Sequence, residues 1–313
     1  MLASKVEKHE LGFESSKKDT NGTKYTISTR DIGGLSVREL DPLGVDDYFY
    51  EGEIEKQGIV LHFTAGYLRG DMGAMIRQGK HVCVPYLSAR SGDVFQIFDP
   101  KHCWGYHLGR SAVGGNTTMS KKTVAIEISN IGPLELRGNS LHTAYGDKYC
   151  SLDEKQYYTK LAKSWRGYQY YASYTEEQID SLINLLKHIT KRFDIPAEFL
   201  PEEKRYRIFS SAKEARAFKG ISTHINYRKN GKWDLGPAFP WDRVIKGVQG
   251  KPKRKKKAPE EKLDARNTLD LPKVSEFPTP SYLVEQEPAK AESAQSPQGI
   301  VGIIMELISK FTG

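Results

Sequence analysis

Two short stretches limit what this chain can become: Gly58-Ile-Val-Leu-His-Phe63 and Thr123-Val-Ala-Ile-Glu-Ile128. Each is a run of strong β-formers too short for a helix, the pattern of a strand buried on both faces. Each also carries one ionisable residue, His62 in the first and Glu127 in the second. Charged side chains are seldom buried without a partner, so a carboxylate between Ile126 and Ile128 needs a reason to be there. Strand alternation turns Glu127 away from the two isoleucines and onto the opposite face.

A third stretch, Gly220 to Trp241, packs His224, Lys232 and Asp234 into a turn-rich segment. A neutral imidazole and a carboxylate oxygen are common donors in catalytic zinc sites that keep one position for water. Taken alone, the segment supports two readings: half of a metal site, or a structural histidine beside a surface Lys/Asp pair. His62 favours the metal, because it ends an apolar strand at a Thr-Ala-Gly turn, where ligands collect.

Five blocks then line up: VLHFTAG at 60–66, SGDVFQIFDP at 91–100, CWGYHLGRS at 103–111, TVAIEISN at 123–130 and GISTHINYRKNGKWDLGPAFPW at 220–241. In order and character the chain resembles the zinc-dependent N-acetylmuramoyl-L-alanine amidases of type 2, whose relatives include phage amidases and peptidoglycan recognition proteins. The resemblance spans roughly residues 55–250 and implies an α/β fold, a mixed central β-sheet flanked by helices with a metal cleft at one edge. It further implies one Zn²⁺ on His62, His224 and Asp234, with water as the fourth ligand. Glu127 would be the general base and Lys232 the stabiliser of the oxyanion. Trp104, Tyr106 and His107 would line the sugar-peptide cleft, with His107 placed to donate to a substrate carbonyl. The bond cut would join the lactyl group of N-acetylmuramic acid to L-alanine. Val84 and Pro85 stand where relatives carry a histidine or tyrosine, which leaves Tyr86 as the nearest substitute. Asp234 stands where some members use cysteine, so Cys83, Cys103 and Cys150 fall outside the expected site. The chain has neither a G-x-S-x-G elbow nor a G-x-x-x-x-G-K-[ST] loop, which removes those routes to a serine nucleophile or a phosphate cradle.

Composition divides the 313 residues further. Residues 1–24 are polar and charged, without periodicity, and are expected to form a flexible arm. The amidase domain is expected over 25–250, with a tyrosine-rich insertion over 133–174 that has two readings, exposed rings that stack on sugars or a helical cover whose tyrosines fill its contact with the core. Within it, Ser151 and Glu154 have the capping-box form and predict a helix to about Trp165. The clearest helix begins at Thr175, with Ile179, Leu182, Ile183, Leu186 and Ile189 on one face and Pro196 marking its end. Residues 251–298 start with a basic run and continue rich in Pro, Glu, Ala and Ser, the composition of a disordered linker. Over 299–313, Ile300, Ile304, Leu307, Ile308 and Phe311 fall on one side of an amphipathic helix. That helix is too short to span a bilayer and suits a membrane surface or a protein groove.

A formal charge of +8 suits an anionic polymer, a membrane surface or a nucleic acid and chooses none of them. With the resemblance, that polymer is peptidoglycan, and no nucleic acid is expected. Residues 1–19 lack the apolar core of a secretory signal, so the expectation is synthesis in the cytoplasm and action on the wall after release or delivery. The basic linker and apolar tail favour a lytic enzyme, a lysin or delivered effector. The alternatives are a cytosolic wall-recycling amidase and a non-catalytic peptidoglycan-binding module on the same fold.

Overall fold

A computed structural model describes residues 24–228 and 232–250. The expected arm, linker and terminal amphipathic helix lie outside the described residues, save Lys24. The chain begins with strands β1 (Tyr25–Asp31), β2 (Ser36–Pro42), β3 (Tyr50–Glu51) and β4 (Gly58–Phe63), then helix α1 (Leu68–Met75). Strands β5 (Tyr86–Ser88), β6 (Val94–Gln96) and β7 (Cys103–Trp104) lead to α2 (Asn116–Lys122) and β8 (Thr123–Ile128). The insertion supplies β9 (Pro133–Arg137), β10 (Ser140–His142), β11 (Lys148–Ser151), β12 (Tyr158–Trp165) and β13 (Tyr168–Ala172). Helices α3 (Glu176–Arg192), α4 (Glu202–Arg205) and α5 (Ala212–Ala217), strand β14 (Gly220–Thr223) and helix α6 (Trp241–Gln249) complete it.

The main sheet has seven strands in the order β1-β2-β6-β5-β8-β4-β14. It is mixed, as expected: β5, β8, β4 and β14 run parallel, while β1–β2 and β5–β6 are antiparallel pairs. The hairpin between β5 and β6 turns at Gly92, whose φ of 91° suits glycine. On one face, Ile59, Leu61, Val124, Ile126 and Ile128 share a core with Leu182 and Leu186 of α3 and Val244 of α6. On the other face, Ala125 packs with Leu68 and Met72 of α1. Helices on both faces explain why β4 and β8 read as continuous apolar runs.

Thr175 caps α3, its Oγ1 accepting from the Gln178 backbone N–H at 3.1 Å. The Gln178 side chain does not return to the cap. Its Nε2 donates to the carbonyls of Ser88 and Ser129, both at 3.0 Å, and ties the helix start to the sheet.

The insertion departs from expectation. It is a separate five-stranded sheet, order β11-β10-β9-β13-β12, around a small core that includes Leu134, Leu141, Tyr149 and Tyr170. Ser151 N–H does donate to Glu154 Oε2 at 2.8 Å, but a single 3-10 turn follows and then β12. A capping box is a local signal. The residues after it find partners instead in β13, Tyr158 opposite Ala172 and Thr159 opposite Tyr171, and tyrosine and threonine favour a pleated surface. The two ends of the insertion meet at Asn130. Its Oδ1 accepts from Gly132 N–H at 2.8 Å, and its Nδ2 reaches the carbonyls of Ala172 and Ser173 at 3.3 and 3.2 Å.

Candidate metal centre

Parallel register assembles the site. His62 pairs directly with Glu127 across β4 and β8, and Thr223 pairs with Leu61 across β14 and β4. His224, the first residue past β14, therefore comes level with His62. The carboxyl ends of adjacent parallel strands are where α/β sheets present ligand sites. Asp234 arrives from the segment before α6, which is held by the buried Leu235 and by Ile225 N–H donating to the Asp234 carbonyl at 3.2 Å.

Three donor atoms converge. His62 Nδ1 lies 2.9 Å from His224 Nδ1, and Asp234 Oδ2 lies 3.5 and 3.3 Å from the two. Ligand bonds of about 2.0–2.2 Å in a tetrahedral shell place donors roughly 3.3–3.6 Å apart; both Asp234 separations fall in that range, and the two histidine nitrogens, at 2.9 Å, stand closer than it. Among the described residues the cysteines take no part: Cys83 and Cys150 are buried as free thiols, and Cys103 pairs in β7.

Burial sets the charges. It lowers the pKa of His62, against the pull of Asp234, and lowers that of His224 to about 3, with Lys232 adding to the effect. Both imidazoles are thus neutral, the form that can ligate a metal. Burial alone would raise the Asp234 carboxyl, but His224 and Lys232 outweigh it and hold the group well below the carboxylate range. Glu127 goes the other way: burial, then the neighbouring Asp234, push it well above its ordinary value despite Lys232. Its Oε1 stands 3.9 Å from His62 Nδ1, while its Oε2 is buried without a hydrogen-bond partner. A buried orphan oxygen of this kind marks a place where substrate, water or an ion belongs.

A cleft of about 260 Å³ opens over these groups. Glu127, His224, Lys232 and Asp234 line it, together with Tyr145 and Tyr168 from the insertion. His107 also reaches the cleft, but it is buried behind His62, and both its ring nitrogens are engaged, with His62 Nε2 at 3.1 Å and Thr123 Oγ1 at 3.0 Å. It has no free N–H for a substrate carbonyl. Trp104 and Tyr106 do not line the cleft. Pairing of β7 with β3 stacks Trp104 on Tyr50 at 4.5 Å, with the Lys121 ammonium 4.9 Å from its ring centre, and the Tyr106 hydroxyl meets Thr117 Oγ1 at 3.2 Å. Tyr86 is fully buried in the core of the sheet. Sequence reasoning missed Asp71, a buried carboxylate on the cleft whose Oδ2 accepts from Ser129 Oγ at 3.0 Å. Nothing in the local sequence Leu68-Arg-Gly-Asp71 signals it.

Comparison with known proteins brings the same residues into one frame. Residues 53–237 match the family described as N-acetylmuramoyl-L-alanine amidase, a span that holds His62, Glu127, His224 and Asp234. AmiD of Escherichia coli is 22% identical over 225 residues, covering 68% of this chain and 63% of that protein. The match therefore spans less than two thirds of that relative. Among solved structures, the E. coli AmiD complex with anhydro-N-acetylmuramic acid-L-Ala-D-γ-Glu-L-Lys is 18% identical with a TM-score of 0.40, covering 70% of this chain and 65% of that one. AmpDh3 of Pseudomonas aeruginosa gives 16% and 0.39, covering 63% and 61%. The selenomethionine derivative of AmpD gives 14% and 0.36, covering 65% and 92%. More than half of the sequence falls within the family match, and on that ground the chain belongs to the type 2 N-acetylmuramoyl-L-alanine amidase family.

Proposed function

We propose that this chain is a zinc-dependent hydrolase that cuts the amide between N-acetylmuramic acid and L-alanine in peptidoglycan. The observation that carries the reading is the convergence of His62 Nδ1, His224 Nδ1 and Asp234 Oδ2 beside the orphan Oε2 of Glu127. A zinc ion held by the trio would polarise the carbonyl and lower the pKa of water from 15.7 to about 7. Glu127, its proton affinity raised by burial, takes a proton from the attacking water and returns it to the leaving amine. Lys232 holds positive charge at the cleft, where the carbonyl oxygen becomes anionic. Tyr145 and Tyr168, which line the cleft, add aromatic surface where a glycan or peptide would lie. AmiD was solved with a muramyl peptide, which supports that substrate class.

Purified sacculi incubated with wild type, Glu127→Gln and a zinc-stripped sample test this. Mass spectrometry should find new L-alanine amino termini only with the metal-loaded wild type, and Glu127→Gln should lose about 10²- to 10⁴-fold in kcat. New reducing sugar ends would overturn the assignment. A lytic rather than a recycling role rests on sequence, on the basic run from Lys251 to Lys257 and the apolar periodicity over 299–313. Membrane association that survives removal of residues 299–313 would remove that support.

A further inference from the structure

We propose that His107 is a positioning residue that fixes the tautomer and ring plane of His62, and that Thr123 anchors it. The inference rests on the metal-site reading above and on the direction of three hydrogen bonds. The Met119 carbonyl can only accept, and Thr123 Oγ1 lies 2.7 Å from it, so the hydroxyl spends its one proton there. Thr123 Oγ1 then has only lone pairs for His107 Nε2 at 3.0 Å, and that nitrogen must carry the ring proton. Neutral His107 is left with a lone pair on Nδ1, which accepts from His62 Nε2–H at 3.1 Å. His62 Nδ1 is thereby the unprotonated nitrogen, and it is the atom that faces His224 and Asp234. A chain starting at a backbone carbonyl of α2 ends in a lone pair aimed at the metal position.

His224 is held more simply, its Nε2–H donating to the Leu108 carbonyl at 3.0 Å. Consecutive residues, 107 and 108, thus orient both imidazoles. That segment is itself fixed to α2, because His107 N–H donates to Ser120 Oγ at 3.3 Å and Ser120 Oγ reaches Asn116 Oδ1 at 3.2 Å. Partners of this kind typically govern metal affinity by about 10- to 100-fold, since an unfixed imidazole rotates or presents the wrong nitrogen.

The test uses full-length apo-protein and zinc alone, titrated against a chromophoric chelator, with the visible spectrum of the cobalt(II) form as a second readout. His107→Leu, which keeps bulk and loses the acceptor, should weaken zinc about 10- to 100-fold and alter the cobalt spectrum. His107→Asn, whose Oδ1 falls near the place of Nδ1, should restore most of both. Thr123→Val should shift affinity in the same direction by less, and Thr123→Ser should not. A folded His107→Leu with the affinity and cobalt spectrum of wild type sinks the proposal while leaving the metal site standing. Should His107→Leu not fold, the Thr123→Val and Thr123→Ser pair decides, and equal affinities overturn the proposal. A wild type that binds no zinc ends both this inference and the reading beneath it.

Discussion

Asp71 is a carboxylate buried to 7% exposure at the edge of the cleft. Burial pushes it up to about 6 from 3.8, against hydrogen bonds from Thr64 and Ser129 that favour the charged form. A folded-state pKa above the unfolded one means that its contribution to stability is present below about 3.8 and lost as pH rises through about 6. Asp71→Asn is expected to be more stable than wild type above pH 6 by about 2–3 kcal/mol, the gap closing toward pH 4. Denaturant melts at several pH values check this, and a gap that stays level with pH refutes it. Gly66 belongs to the same packing: a Cβ there would stand 2.2 Å from Asp71 Oδ1, and Gly66→Ala should cost about 1–3 kcal/mol. At this scale the sequence told most about residues whose type clashes with their surroundings. His62 and Glu127 are polar in apolar strands, and His224 and Asp234 crowd one turn-rich segment. Asp71 gave no such sign, because its partner Ser129 is 58 residues away. The role of His107 was equally hidden, since the direction of its hydrogen bonds depends on Met119 and Thr123, which only the fold brings to it.

Capping signals at Thr175 and Ser151 had different outcomes, and the cause lies in the residues C-terminal to each. After Thr175 an apolar face runs for about three turns, through Ile179, Leu182, Leu186 and Ile189, and packs on the main sheet. After Ser151 no such face exists; Tyr158, Thr159 and Lys160 alternate and pair with β13. Thr175→Ala should therefore cost about 1 kcal/mol by loss of the cap to Gln178 N–H, read as a lower denaturation midpoint with an unchanged slope. The tip of the β12–β13 hairpin also touches the segment that carries Asp234. A Cβ on Gly236 would lie 2.7 Å from the Trp165 ring. Gly236→Ala should destabilise by about 1–3 kcal/mol. Because the clash needs the ring, Gly236→Ala made in a Trp165→Ala background should cost clearly less, and additive losses would show that the two do not meet.

For the whole molecule, the mixed sheet flanked by helices was legible only through the family resemblance that the motif blocks carry; periodicity by itself marked the buried strands and the long helix. The five-stranded sheet of the insertion was not legible, since its strands are short, half exposed and defined by pairing with one another. If the trio holds zinc, the ion is also a folding ligand. At 100 times its dissociation constant it adds about 2.7 kcal/mol, which for a domain of this size corresponds to roughly 5–10 °C in Tm. Calorimetry with and without a chelator measures this, and identical melts would argue that the metal adds nothing to the native state. The clasp at Asn130 has a different consequence. Backbone N–H of Ala172 donates to the Gly132 carbonyl at 2.9 Å, so the second sheet leaves the main body through the same doorway by which it came. Such a module enters and leaves at one junction, which is the arrangement of a cassette, with Trp165 at its hairpin tip as a second point of contact beside Asp234. The cleft lining it supplies, Tyr145 and Tyr168, could then change while β4, β8 and β14 keep their register.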